Sequence, residues 1–340
     1  MLRVTKTANL FLLFTLLVAG TATAADQVPV MGNWQGKFIE GDWNGRPIHA
    51  QIVAQSHTTY RAILYVGEEK KGGEIYGKTQ KKVTYFEGEV GLGSELGGRY
   101  AVTGQASQGS FAGEFKNDNA THKFIMERVL LKSPTLGMEP PEGAVVLMLN
   151  ENKWTPEAKE TFDKSWIVQP RWRIESDGAA RLSGSSIVTK EKFGDARYHI
   201  EFQTPFMPND RGQARGNSGV YVEGRYEVQV LDSFADAPAD NLCGGIYQLA
   251  VPKMNACLPP LEWQTYDITF YAPRFDENGK KIKNAEITVV HNGKVIHDKV
   301  TLSHGTPGGV SGDEAPTGPL LLQDHSDRVG YRNVWIKPLD

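Results

Sequence analysis

Cysteine, long apolar runs and excess positive charge are all scarce in this sequence. It has 340 residues but only two cysteines, and its formal net charge is −3 at pH 7. Nucleic-acid binding needs a basic face, which this charge balance and the absence of basic runs exclude. No apolar run reaches the ~20 residues of a membrane-spanning helix. Heptads and internal repeats are also absent, so the sequence excludes a coiled coil and a repeat array.

Residues 1–24 have the pattern of a signal peptide. Arg3 and Lys6 precede an apolar stretch from Leu10 to Ala19, and Ala22-Thr23-Ala24 supplies a small-x-small cleavage site. We therefore expect a mature chain that begins near Ala25 and is secreted or periplasmic, with no membrane anchor after cleavage. An uncleaved anchor is the alternative, and the shortness of the apolar stretch disfavours it.

The two cysteines, Cys243 and Cys257, lie in one loop-rich stretch. In an exported chain such a pair predicts a disulfide, and closing a loop of about 15 residues stabilises a fold by ~3 kcal/mol. A thiol nucleophile or a metal ligand is the alternative, but neither cysteine has a histidine near it in the sequence.

Alternation of polar and apolar residues dominates the chain, which predicts an all-β protein. Residues 25–132 read as seven short strands with turns at Gly72-Gly73 and Gly97-Gly98, typical of a small antiparallel barrel or sandwich. Its histidines are expected at the surface: His49, His57 and His122. Residues 133–143, with three prolines, are predicted to be a linker.

Residues 144–340 carry longer strands, and they predict a second domain, a two-sheet sandwich or jelly roll. Arg197–Thr204 alternates cleanly, and Asn292-Gly293 is a hairpin turn. A short helix near Pro156–Asp163 could be capped by Thr155.

The strand Tyr226–Leu231 carries the first candidate site residues. Alternation places Glu227 and Gln229 on one face, and a one-residue bulge at Val230-Leu231 would return Asp232 to the same face. Carboxylates in such a row suit the cleavage of glycosidic bonds, which needs a proton donor and a second carboxylate near the sugar ring. An ordinary solvent-facing strand is the alternative interpretation.

A second group of candidates follows the apolar strand Leu320–Leu322. Gln323-Asp324-His325 emerges at its end, and a histidine beside a carboxylate is suited to proton transfer near neutral pH. The remaining histidines of this half lack metal-ligand spacing and are interpreted as structural: His291, His297 and His304.

Several ordered blocks in residues 144–340 resemble the 3-keto-disaccharide hydrolase domain family of the concanavalin A-like lectin and glucanase superfamily. The blocks are Asn217–Tyr221, Tyr226–Asp232, Cys243–Tyr247, Glu262–Asp267, Ala272–Asp276, Gly318–Leu320 with Gln323–His325, and Arg332–Trp335. The resemblance implies a jelly-roll sandwich with a concave sugar-binding sheet. The strand departs from the related glucanase motif, because Gln229 replaces its middle carboxylate and Asp232 is one methylene shorter than the last.

The resemblance also implies a chemistry in which a ketone at C3 acidifies the C2 hydrogen and the C1 substituent is expelled. Glu227 or His325 would act as the base, with Asp232 as a third catalytic candidate. Arg215, Asn217 or a divalent cation could stabilise the enolate oxygen; no other cofactor is expected. Six residues are expected to contact the substrate: Arg215, Asn217, Gln229, Gln323, Asp324 and Asn333. A carbohydrate-binding protein without catalysis and a structural surface protein are the alternatives.

Overall fold

The computed structural model describes residues 28, 30–67, 71–107, 109–167, 172–181 and 184–339. Its regular structure is almost entirely antiparallel β, which confirms the predicted all-β class. The predicted signal peptide lies outside the described residues. Within the described ranges, no helix has the length and apolar character needed to span a membrane.

The first eight strands form a closed antiparallel barrel in which each strand pairs with the next and β1 also pairs with β8. They are β1 (Gly32–Phe38), β2 (Pro47–Ala54), β3 (Thr59–Val66), β4 (Lys71–Gln80), β5 (Val83–Gly91), β6 (Arg99–Ser107), β7 (Ser110–Lys116) and β8 (Thr121–Val129). Aromatic rings fill its interior in edge-to-face contacts, with Phe111 and Phe115 both touching Phe124. The interior of the barrel is therefore a packed hydrophobic core.

Two expectations for the barrel are wrong. Gly72 and Gly73 lie inside β4, where Gly73 pairs with Leu64. Gly73 has a φ of +120°, and a Cβ on it would lie 2.8 Å from Val90 Cγ1, so both backbone conformation and packing require glycine within the strand. His122 is buried and stacks on Trp43 at 3.9 Å between ring centroids, and burial lowers the pKa of its imidazole. By contrast, the turn at Gly97-Gly98 is confirmed, with Gly97 in the left-handed region.

The remaining strands form a two-sheet sandwich with one shared core, as predicted. The five-stranded sheet has the order β10 (Trp166–Ile167), β13 (Ile187–Thr189), β22 (Leu321–Leu322), β15 (Ser218–Val222), β16 (Tyr226–Val230). The second sheet has the order β11 (Arg173–Ile174), β12 (Ala180–Arg181), β23 (Gly330–Pro338), β14 (Ala196–Gln203), β17 (Gln264–Tyr271), β20 (Ala285–His291), β21 (Lys294–Leu302). Since β9 (Val145–Met148) also pairs with β23, this second sheet has eight strands. A separate two-stranded sheet joins β18 (Arg274–Phe275) and β19 (Lys281–Lys283).

Helix α1 (Pro156–Ser165) begins where the sequence predicts. The hydroxyl of Thr155 accepts a hydrogen bond from the backbone N–H of Ala158 at 3.0 Å, which caps the first turn. The helix buries Phe162, whose ring stacks on Trp166 and Trp172 at the edge of the sandwich core.

The predicted linker lies along the outer face of the eight-stranded sheet. Thr135 Oγ1 donates to Asp267 Oδ2 at 2.6 Å, and the backbone N–H of Gly137 donates to Glu201 Oε1 at 2.5 Å. Met138 contributes its carbonyl oxygen, which accepts from Trp335 Nε1 at 3.3 Å. Residues 133–138, which we call the strap, are therefore hydrogen-bonded to the sandwich over their length. The domain boundaries at 132 and 144 stay a prediction.

Candidate active site

The hairpin β15–β16 places the first candidate residues. Its register pairs Tyr221 with Glu227 and Gly219 with Gln229, and these four side-chain positions share the face turned away from the core. The opposite face packs into the sandwich: Val220, Val222, Val228 and Val230. The predicted alternation of Glu227 and Gln229 is therefore confirmed.

Glu227 is almost fully buried, with 3% of its surface exposed. A Cβ on Gly219 would lie 2.3 Å from Glu227 Oε1, so the missing side chain of the glycine provides the space for the carboxyl group. Burial raises the pKa of Glu227 to about 7, against a smaller lowering by a hydrogen bond from Tyr221. Near neutral pH this carboxyl group can therefore both accept and release a proton.

Tyr221 connects Glu227 to two loops. Its hydroxyl contacts the Glu227 carboxyl group and lies 3.0 Å from the carbonyl oxygen of Pro307, and its one proton can serve only one of them at a time. Gln323 Nε2 donates to the same hydroxyl at 3.1 Å. Thr306 Oγ1 accepts the backbone N–H of Glu227 at 2.9 Å, which fixes the strand beneath the carboxyl group.

Tyr221 and Thr306 were not predicted as site residues. For Tyr221 a signal was present: the three residues between Val222 and Tyr226 form a hairpin, and counting back from it sets Tyr221 opposite Glu227. No local pattern marks Thr306, which comes from a loop far away in the sequence.

Two predicted substrate-binding residues, Asn217 and Gln229, are bonded to each other. Gln229 Nε2 donates to Asn217 Oδ1 at 2.8 Å, and Asn217 Nδ2 donates to the carbonyl oxygen of Gln213 at 2.8 Å. The backbone N–H of Asn217 donates to Asp327 Oδ2 at 2.7 Å. These amides hold the loop before β15 in place, and Asp327 is a further residue that the sequence did not single out.

Asp232 and Arg215 form an ion pair between the loop that follows β16 and the loop that precedes β15. The predicted bulge is wrong, because β15 and β16 pair without a register shift and β16 ends at Val230. Asp232 lies in the following loop, where Arg215 Nε approaches its Oδ2 at 2.6 Å. Arg215 Nη1 also donates to the carbonyl oxygen of Ala54 in β2 at 3.2 Å. Both residues therefore lie at the contact between sandwich and barrel.

The loop after β22 contains the next candidates. The half-buried Asp324 accepts the backbone N–H of Ser326 through Oδ1 at 2.8 Å, and its own N–H donates to Ser186 Oγ at 3.1 Å. His325 is exposed at the loop surface. Gln323 thus reaches the Glu227 site through Tyr221, while His325 lies on the solvent side of the same loop.

Asn333 is not part of this site. It lies on β23 of the eight-stranded sheet, where Nδ2 donates to Glu201 Oε1 at 2.9 Å and to the carbonyl oxygen of Met138 at 3.1 Å. The predicted grouping of Asn333 with Gln323 therefore needs correction: the two follow each other closely in the chain but belong to different sheets.

The expected disulfide is not formed, since Cys243 and Cys257 are free, buried thiols in the structure. They interact with each other, and the hydrogen bond to Cys243 is the largest cause of the raised pKa of Cys257. Among the described residues, no group of three or more histidine, cysteine, aspartate or glutamate side chains is arranged to hold a metal ion. The divalent cation considered from the sequence stays an untested expectation.

Two solved structures from Parabacteroides distasonis are similar to part of this chain. One, a candidate glycosyl hydrolase, is 33% identical to this chain with a TM-score of 0.51, covering 58% of this chain and 85% of its own. A second candidate glycosyl hydrolase from the same organism is 20% identical, with a TM-score of 0.39, covering 56% of this chain and all of its own. Among curated proteins nothing matches the chain.

The sandwich, its buried carboxyl group and the 33%-identical relative define a β-sandwich protein with a function of the glycoside-hydrolase type. The family described as the 3-keto-alpha-glucoside-1,2-lyase-like domain matches residues 147–337. The chain belongs to this family, which confirms the resemblance found in the sequence.

Proposed function

We propose that the chain is an exported enzyme that cleaves 3-keto glycosides, with Glu227 as the base that removes the C2 proton. The observation that carries the proposal is the burial of the Glu227 carboxyl group beside Tyr221, in the space left open by Gly219. The pKa of Glu227 is raised to about 7 by burial and lowered only by Tyr221, with no contribution from another carboxylate or from a cation. A lone base with this pKa suits proton abstraction near neutral pH.

The proposed reaction balances without a co-reactant. The Glu227 carboxylate takes the C2 proton, and the electron pair of the C2–H bond forms a C2–C3 double bond with negative charge on the C3 oxygen. When the ketone re-forms, that pair makes a C1–C2 double bond and the bond from C1 to the leaving oxygen breaks. The leaving oxygen takes a proton from Glu227 or from His325. The products are a 3-keto-1,2-unsaturated sugar and an alcohol, and addition of water to the double bond would complete a net hydrolysis.

Conventional retaining hydrolysis fits this geometry less well. That mechanism needs a second carboxyl group ~5–5.5 Å from the first. The strand offers Gln229 at the next position on that face, and Asp232 is paired with Arg215.

The other residues have supporting roles in the proposal. Gln323 uses one amide N–H on Tyr221 and has a second for the sugar, which makes it the donor best placed for the C3 oxygen. Arg215 and Asn217, predicted for that role, are held by Asp232 and by Gln213. His325 is exposed on the loop that follows Gln323, and we assign it as the second candidate for proton donation to the leaving group.

The test is product analysis with 3-keto trehalose and 3-keto maltose, each compared with its unoxidised parent. We expect cleavage of at least one 3-keto sugar and none of the parents, because an ordinary C2–H is far too weak an acid for a carboxylate. Deuterium at C2 should slow the reaction or exchange into solvent. Comparable cleavage of a parent disaccharide with the C2 label retained would overturn the mechanism. Failure to cleave any of the four sugars would overturn the proposal for these substrates and favour binding without catalysis.

A further inference from the structure

The outer wall of the barrel carries two rows of side chains that cross strands β4 to β8. The strand register aligns one row as Lys78, Tyr85, Gln105, Ala112 and Ile125. It aligns the neighbouring row as Tyr76, Glu87, Thr103, Glu114 and Lys123. We call these two rows the barrel platform. Five strands at ~4.8 Å spacing give it a width of ~19 Å between the outer strands.

Two tyrosines at one end of the platform expose their rings to solvent. Tyr76 is 58% exposed and Tyr85 is 45% exposed, although rings such as Phe86 and Tyr100 are buried in the barrel interior. Tyr76 pairs with Glu87 and Tyr85 with Lys78, so the tyrosines are diagonal neighbours on adjacent strands. Exposed rings with a polar hydroxyl suit a ligand that offers both C–H faces and hydrogen-bonding groups.

Two surface depressions lie on either side of Tyr85, and its side chain lines both of them. One has a volume of about 540 Å³ and includes Thr103, Gln105 and the backbone of Gly104. The other has a volume of about 690 Å³ and includes Tyr76. Both are shallow and open to solvent along the face of the sheet. A chain-like ligand could therefore contact both sides of the Tyr85 ring.

The charges of the platform favour an uncharged ligand. Glu114 pairs with Lys123 across β7 and β8, and Glu87 is a diagonal neighbour of Lys78 on adjacent strands, so neither sign of charge dominates. Lys123 is already paired with Glu40, at 2.8 Å between Nζ and Oε2. The amide of Gln105 and the hydroxyl of Thr103 add donors and acceptors, as a ligand with many hydroxyl groups requires.

We propose that the barrel platform binds a neutral glycan chain and so holds carbohydrate beside the enzyme. The choice of carbohydrate among neutral polyhydroxylated ligands rests on the proposed function; the platform itself does not. The barrel contacts the sandwich through Arg61 and Asp236, 2.8 Å apart, and through the bond from Arg215 to Ala54. A glycan on the platform is thus tethered to the body that carries Glu227.

The test is native affinity electrophoresis of the full chain in gels that contain dextran, soluble starch, laminarin or hydroxyethylcellulose, all uncharged. We expect retardation in at least one gel and its loss in the double variant Tyr76→Ala/Tyr85→Ala. Tyr271→Ala is the matched control, because Tyr271 is 42% exposed on the sandwich, and it should migrate like the parent chain. Circular dichroism verifies that each variant is folded.

Two further variants separate this proposal from the catalytic one. Glu227→Gln should lose cleavage of the 3-keto sugar but keep the retardation, and the double tyrosine variant should show the reverse. Absence of retardation in all four gels, or equal retardation of the double variant, would overturn the glycan site while leaving the catalytic proposal intact. A fall in the mass of the particle on tyrosine substitution, measured by light scattering, would assign the platform to contacts between copies and also overturn it.

Discussion

Each sheet of the sandwich buries a glutamate on the face away from the core, but the two glutamates have opposite protonation behaviour. Glu201 on the eight-stranded sheet accepts from Arg332 Nε at 2.9 Å and from Asn333 Nδ2 at 2.9 Å. Burial alone would raise the pKa of Glu201, but bonds from His199, Asn333 and Gly137 and the charge of Arg332 outweigh it and lower the pKa. Glu227 on the five-stranded sheet has a hydroxyl neighbour instead, and its pKa rises to about 7.

The comparison shows that hydrogen-bonding and charged partners, not burial, separate the pKa values of the two glutamates. The partners of Glu201 extend to His199, which contacts Asp267 at 2.6 Å; burial lowers the pKa of this imidazole, but the two carboxylates outweigh it and raise the pKa. The strap then covers the cluster with backbone and hydroxyl donors. A closed set of charges of this kind holds the fold, whereas an unpaired buried acid costs stability and is typical of a functional site.

Removing the charge of Glu227 should have the largest effect on activity. Glu227→Gln should reduce kcat/KM on a 3-keto sugar by ~10²-fold or more, because a positioned base contributes that much. In the parent chain kcat/KM should rise as the pH passes about 7, where the Glu227 carboxylate forms. Steady-state kinetics across pH 5 to 9 measure both effects.

Glu223→Gln is the matched control, since Glu223 is also buried and belongs to the turn of the same hairpin. Its turnover should equal that of the parent. Equal activity of Glu227→Gln and the parent, or loss of activity in both variants, would remove the distinction drawn for Glu227.

Removing the charge of Glu201 should affect stability instead. Glu201→Gln leaves Arg332 without its carboxylate, and breaking a buried pair costs ~3 kcal/mol or more of unfolding free energy. The measurement is chemical denaturation, with the exposed Glu142→Gln as an unaffected control. kcat should be unchanged below the melting temperature. Lost activity at unchanged stability would shift the chemistry to the eight-stranded sheet.

The smallest expected effect is on stability and concerns Glu223, a third buried glutamate. Both its carboxylate oxygens are buried without a hydrogen-bond partner among the described residues, and burial raises its pKa to about 8. The folded state therefore holds this proton more tightly than the unfolded state, and stability falls as the pH rises from about 4.5 toward 8.

Glu223→Gln mimics the protonated acid and should lose this pH dependence. It should exceed the parent in unfolding free energy by ~2 kcal/mol near pH 8, at ~1.4 kcal/mol per pKa unit with allowance for solvent access, and match it near pH 4. Denaturation at the two pH values is the measurement, and equal differences at both would contradict the assigned protonation.

Residue alternation and the family blocks predicted the all-β class, the two-sheet sandwich and the shared face of Glu227 and Gln229, because these depend on local periodicity. The sequence could not predict what depends on distant contacts. Gly73 has a φ of +120° and lies against Val90, and Asp232 lies in the loop after β16, where Arg215 binds it. Asn333 shows the same limit. It follows Gln323 closely in the chain, but this closeness does not reveal to which sheet Asn333 belongs.

The closure of the barrel by β1 and β8 has a consequence for association with other chains. A closed ring has no open strand edge, so no foreign strand can extend it by backbone pairing. The sandwich is open, and its β16 edge is covered by the chain itself: the backbone N–H of Gly244 donates to the carbonyl oxygen of Gln229 at 2.9 Å, and Gln229 donates back to Gly245 at 2.9 Å. Resistance to strand addition thus comes from topology in the barrel and, at the β16 edge of the sandwich, from a covering loop.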